Sequence, residues 1–160
     1  MWKLQDLEYV RPDVDAYRAE YERLIDEMAN AASYADQRAA LMALEALNKK
    51  FGTASSLASI RYDGNTADEF YGEEKKFWNS FFPSMIPLRR KYMETLVSLR
   101  FRADFEAEFG PKIFTSAEAQ LRLTDDRLAD AQRKQSALVM EYSSTVAGST
   151  VEFGGVSCNF

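Results

Sequence analysis

Apolar residues recur at spacings of three and four along most of the chain, the period of helices that bury one face. Val14, Tyr17, Tyr21, Leu24 and Met28 form the first stripe. Arg11-Pro12-Asp13 ahead of it predicts a helix start, because proline is tolerated in the first turn and Asp13 and Asp15 set negative charge at the positive end of the helix dipole. Ser33 is the expected N-cap of a second helix, whose stripe is Leu41, Leu44, Phe51 and Ala58, with Leu47 and Leu57 beside it. Gly52 weakens that helix by about 1 kcal/mol relative to alanine, too little to end it.

Tyr62-Asp63-Gly64-Asn65 predicts a turn, and Thr66-Ala67-Asp68-Glu69 fits a capping box with Thr66 as the cap. The helix that follows is dense in aromatic residues. Helical spacing places Phe70, Phe77 and Phe81 on a core flank and Tyr71, Trp78 and Phe82 on a second flank. A helix that is apolar on two flanks is packed on two sides, so Tyr71, Trp78 and Phe82 are either further core residues or candidates for a docking face or the wall of a substrate cleft. Pro83 and Pro87 predict a break or kink near Phe82 to Ser84, after which Leu88, Tyr92, Leu96 and Leu99 resume the stripe. FRADFEAEF reads as a short helix stopped by Gly110-Pro111, and Thr115-Ser116-Ala117-Glu118 as a second capping box. A last long helix carries Leu128, Ala131, Leu138, Tyr142 and Val146.

The C-terminal VEFGGVSCNF differs in kind, with two short runs joined by Gly154-Gly155, the composition of a two-residue hairpin turn. The expected fold is therefore mainly α, a bundle of about five amphipathic helices over residues 1–148 with a short β-hairpin over 149–160. A lone hairpin is marginal in water, and this one stops at Phe160 without a polar tail, so the hairpin is expected to lead into a portion that lies outside these residues.

Composition removes more functions than it suggests. The 160 residues contain no histidine and one cysteine, Cys158, whereas most protein zinc sites, Ser-His-Asp triads and Cys-His dyads need one or both. Glu69 and Glu73 share a helix face, Glu20 and Glu27 do so less closely, and Asp125-Asp126 diverge; all are expected to be solvated. Arg89-Arg90-Lys91 is expected on the wet side of its helix, and Cys158 as a small packing residue. A formal net charge of −5 with both signs interspersed argues against nucleic acid. MWKLQDLEYV offers no signal-like apolar run, and no stretch reaches the roughly 20 residues that span a bilayer. A cytoplasmic location is expected.

Three segments carry a family resemblance. YVRPDVDAYRAEYERLIDEM, SLASIRYDGNTADEFYGEEKKFWNSFFP and FRADFEAEFGPKIF resemble, in order, N-terminal segments of the oligoendopeptidase F family of zinc metallopeptidases, relatives of thimet oligopeptidase. The most specific block is Leu57-Ala58-Ser59-Ile60-Arg61 followed by Thr66, Asp68, Glu69 and Phe70, and VEFGGVSCNF is similar to the family's short hairpin. The resemblance implies the helical N-terminal region of a peptidase that cleaves short peptides and continues well beyond Phe160. It also implies zinc in that parent protein, held by H-E-x-x-H and a further glutamate, none of which can be placed in a chain without histidine. No catalytic or metal residue is therefore assigned here, and no cofactor is expected in this chain.

By the same resemblance the helices form part of a shell that restricts access to a channel, and the partner is the catalytic portion of the same polypeptide. The alternative expectation is a stand-alone helical interaction module without catalytic activity. The two differ in whether the reading frame continues past Phe160 into H-E-x-x-H.

Overall fold

The first helix, α1 (Val14–Asn30), opens where expected: the Asp13 carboxylate accepts from the backbone N–H groups of Asp15 and Ala16 at 3.0 and 2.9 Å. The structure is a computed structural model that describes residues 7–123 and 128–159. Ser33 caps α2 (Tyr34–Gly64), its Oγ accepting from the Asp36 N–H at 3.1 Å. At 31 residues and 1.5 Å per residue α2 is about 46 Å long. Gly52 sits inside it without ending it, as its small propensity cost implies.

The next helix, α3 (Glu69–Ser84), is capped two residues later than Thr66: Asn65 Oδ1 accepts from the Ala67 N–H, which uses that stretch as a turn, and Asp68 then accepts from the Tyr71 N–H at 3.0 Å. Pro83 ends α3, Met85 caps it, and Pro87 sits in the first turn of α4 (Ile86–Val97), so the expected kink is a complete break one residue beyond the expected range. α5 (Arg102–Phe109) stops at Gly110, whose φ of 79° favours glycine. α6 (Lys112–Leu123) starts straight after Pro111, and Thr115 lies inside it rather than at its cap. Its hydroxyl donates to the carbonyls of Lys112 and Pro111, the back-bonding that serine and threonine make within helices. α7 (Leu128–Gly148) packs on α3 and leads to β1 (Thr150–Phe153) and β2 (Val156–Asn159).

The fold is thus mainly α with a C-terminal hairpin, as expected, with seven helices among the described residues instead of about five. Two apolar centres lie along α2. Tyr17, Tyr21, Leu24 and Ile25 of α1 meet Leu44, Phe51 and Ala58 of α2 and Trp78 and Phe81 of α3, with the Tyr17 and Phe51 rings stacked 3.6 Å apart. Toward the other end Met28, Ala40 and Leu41 meet Met93, Leu96, Phe105 and Phe114. Gln37 is buried between helices there, its Nε2 donating to the Met28 carbonyl and its Oε1 accepting from the Phe101 N–H.

The segment before α1 is tied down by a buried carboxylate. Arg11 Nε donates to both oxygens of Glu74, at 3.1 and 3.0 Å, its Nη2 donates to Oε1 as well, and the Tyr9 hydroxyl donates to Oε2. The Glu74 side chain is only 5% exposed. Trp78 Nε1 donates to the Tyr9 oxygen at 3.1 Å, and Arg61 donates to the Leu7 carbonyl and to the Tyr71 hydroxyl. Burial pushes the Glu74 pKa up, but the bonds from Arg11 and Tyr9 outweigh it and hold the group below its ordinary 4.5. The Tyr9 hydroxyl is pushed up to about 12, first by burial and then by the Glu74 carboxylate that accepts its proton.

The hairpin turn uses Gly154 and Gly155 at φ of 60° and 80°, with Val151 paired to Cys158 and Phe153 to Val156. Its terminal residue, Phe160, lies outside the described residues.

Three outcomes are expected. Glu74→Ala should lower stability by about 3 kcal/mol, the low end for breaking a buried ion pair because Arg11 keeps access to water; urea denaturation measures it. A carboxylate whose folded pKa is depressed contributes its stability above its unfolded pKa and loses it as pH falls through the folded value. The stability gap between the wild type and Glu74→Gln should therefore be full near pH 7 and shrink below about 4.5. In the hairpin, Gly154→Val should abolish cross-strand NMR contacts while Gly154→Asn keeps them, since asparagine tolerates positive φ and a β-branched residue does not.

Candidate functional site

At 100° per residue, α3 presents one wide aromatic arc and one polar arc. Trp78 lies in the middle of the aromatic arc, only 2% exposed, wedged edge-on against Phe51 and Phe81. Phe70, expected in the core, is 56% exposed, standing in the first turn of α3 where it meets Tyr9 and Tyr71 edge-on. Phe70 thus shares the arc of Phe81 but lies at the far end of the helix, whereas Trp78, placed by spacing on the second flank, is core. Phe77 is half-buried beneath the Arg11 guanidinium, 4.3 Å from its ring centre, and Phe81 is core as expected.

Tyr71 is half-buried and accepts from Arg61, while Phe82 is exposed and stacks on Trp78 at 5.5 Å. Of the three candidates only Phe82 and the edge of Tyr71 reach the surface. Trp78 supports Phe82 from inside and reaches Tyr71 only through Tyr9, to which its Nε1 donates.

Below Phe82 a cavity of about 340 Å³ opens between α1, α2 and α4, lined by Tyr17, Tyr21, Asn48, Glu45 and Tyr92, with Arg89 among its wall residues. Tyr17 donates to Asn48 Oδ1 at 2.8 Å and Tyr92 to Glu45 at 3.3 Å. Burial raises the hydroxyl pKa values of Tyr17, Tyr21 and Tyr92, so all three stay protonated donors across neutral pH.

A larger cleft, about 800 Å³, separates the polar arc of α3 from α7. Glu69, Gly72, Lys76 and Ser80 face Ala137, Met140 and Ser144 across it, a wall of small and charged side chains.

The other charged candidates are exposed ion pairs. Arg23 bridges Glu20 and Glu27, Glu73 accepts from Lys76, and Arg90 donates to Glu94. Lys91 reaches Asp26 and Glu22 and so links α4 to α1. Asp125 and Asp126 and the side chain of Cys158 lie outside the described residues. Among the described residues no three His, Cys, Asp or Glu side chains come together as a metal site, and no helix is long and apolar enough to cross a membrane. The zinc implied by the family resemblance has no fitting donor set here.

Glu74, Tyr9 and Gln37, which organise the interior, were not singled out in the sequence. Glu74 sits in the run Glu73-Glu74-Lys75-Lys76, which looks like a solvated face. Its one available signal was its place on the same helical arc as Trp78 and Phe81, four residues before one and seven before the other.

The comparisons with known proteins agree with one another. A family model for the peptidase M3 N-terminal domain matches residues 4–124. Among solved structures the chain resembles PZ peptidase A with an inhibitor, at 27% identity and a TM-score of 0.93. It also resembles a protein described as oligoendopeptidase F, at 30% and 0.94, and one so described from Bacillus anthracis strain Ames, at 26% and 0.91. These matches cover 98%, 99% and 97% of this chain but 28% of each of those chains. A comparison with curated proteins finds no match. With three quarters of its residues inside the family model and a shared backbone over nearly its whole length, the chain belongs to the M3 peptidase family, whose N-terminal domain it carries.

Proposed function

We propose that this chain is the N-terminal shell of a cytoplasmic zinc oligopeptidase, a helical wall that restricts a catalytic channel to short peptides while the zinc and its ligands belong to the remainder of the same polypeptide. The observation that carries this reading is the match of nearly the whole chain, at 26–30% identity, to just 28% of the length of larger peptidases. The absence of histidine agrees with it, because the metal-bound water of such enzymes needs nitrogen ligands that these residues do not contain.

Within the wall, Phe82 in the last turn of α3, backed by Trp78, and the edge of Tyr71 in its first turn are the candidates for a docking or channel-wall surface. A half-buried aromatic surface of this kind suits apolar side chains, whether of a protein neighbour or of a passing peptide.

The test uses two lengths of chain. The 160 residues alone should hold no stoichiometric zinc by elemental analysis and should not hydrolyse a quenched fluorescent peptide. The complete polypeptide of the same reading frame should hold about one zinc and hydrolyse that peptide in a chelator-sensitive way. One tightly held zinc in the short chain, or a complete polypeptide that is inert toward peptides with zinc supplied, overturns the reading.

A further inference from the structure

The last helix is amphipathic in the wrong direction for the bundle it packs on. At 100° per residue, Leu138, Tyr142 and Val146 fall within about 80° of arc, and Val139 lies next to them. Ala137, Met140 and Ser144, which line the cleft against α3, fall on the opposite side. Leu138 is 65% and Tyr142 71% exposed, and no described side chain after Ala117 is buried.

The face of α3 that meets α7 is itself polar, with Glu69, Glu73, Lys76 and Asn79 along it. Thus α7 meets this domain through Ala137, Met140 and Ser144 and turns Leu138, Tyr142 and Val146 to solvent. In the hairpin, the register sets Val151 and Val156 on one face, and both are exposed as well. A helix of 21 residues held only in this way would gain little from burial, since the apolar surface that drives packing points outward.

Two further observations say what covers it. The family model for the N-terminal domain ends at residue 124, before α7 begins, whereas the structural matches extend over 97–99% of the chain and so take in α7 and the hairpin. Nearly three quarters of each matched protein lies outside the match.

We propose that the outward face of α7, Leu138, Tyr142 and Val146 with Val151 and Val156 of the hairpin, is the seam on which the polypeptide following Phe160 docks. This rests on the parent-peptidase reading above. By packing, α7 and the hairpin are then the first elements of the following portion, and the open cleft of about 800 Å³ between α3 and α7 is the boundary between the two parts.

The experiment is amide hydrogen exchange on the 160-residue chain and on the complete polypeptide of the same reading frame, each as wild type and as Leu138→Gln/Tyr142→Gln/Val146→Gln. Glutamine is a good helix former, so the substitutions remove apolar surface without breaking the helix. Exchange over residues 138–146 should slow by about tenfold or more in the complete wild-type polypeptide. The triple variant should lose that protection and lower the thermal midpoint of the complete polypeptide, while circular dichroism of the short chain stays unchanged. Tyr142→Phe should keep the protection.

Equal exchange of α7 in both lengths, in a complete polypeptide that still hydrolyses peptides, overturns the seam and leaves the peptidase reading standing; the face would then be wet, as a channel wall is. A complete polypeptide that protects α7 but is inert toward peptides supports the seam and overturns the peptidase reading. A reading frame that ends without a further folded portion overturns both.

Discussion

One uninterrupted helix imposes the geometry on everything around it. α2 contributes to both apolar centres along its length, through Leu44, Phe51 and Ala58 at one and Ala40 and Leu41 at the other, and α1 follows it into both with Tyr21 and Met28. Because it does not bend at Gly52, the helices that pack on it must distribute themselves along its length. α1 lies against it by the Tyr17–Phe51 stack, α3 by the Trp78–Phe51 edge contact, and α5 and α6 gather at its N-terminal end around Phe105 and Phe114. Aromatic contacts of this kind are worth roughly 0.5–1.5 kcal/mol each beyond the area they bury, and Phe51 makes several.

Apolar packing sets which helices touch; two buried polar side chains fix how they align. Glu74 gathers Arg11, Tyr9 and, through Tyr9, Trp78, so the segment before α1 can lie across α3 in one position only. Gln37 joins the last turn of α1 to the start of α5 through one donor and one acceptor. A buried group left without partners loses the solvation it gave up, so any slip of these elements costs more than the contacts it breaks. Thus Tyr71 and Phe82 stand on a helix aligned by a carboxylate three residues from one and eight from the other.

The sequence reveals most clearly what rests on local chemistry. Asp13, Ser33, Gly110 and the Gly154-Gly155 turn act within a few residues of themselves, and each was legible. Legibility falls where two local options compete: Asn65 claimed the turn that left Asp68, not Thr66, as the cap, and Thr115 spent its hydroxyl on carbonyls inside α6. It fails where a role depends on a distant partner. Nothing near Glu74 distinguishes it from Glu73, and only the arrival of Arg11 from 63 residues away makes one buried and leaves the other in solvent. The exchange of Phe70 and Trp78 has the same cause, since periodicity gives the angle around a helix but not how far along it the neighbouring helix reaches.

For α7 the stripe of Leu138, Tyr142 and Val146 was visible in the sequence, but a stripe shows only that a helix has an apolar side and not which body lies against it. The fold assigns α3 to the other side. Two helices separated by an open cleft of about 800 Å³ remove little of the facing surface from water, whereas an apolar row covered by an apolar surface is stabilised by about 25 cal/mol for each Å² removed. Any neighbour that covers the row will therefore hold α7 more firmly than α3 does. With the seam formed, the α3–α7 cleft is the softer of the two boundaries and would open before the centres around Phe51 and Phe105 were disturbed.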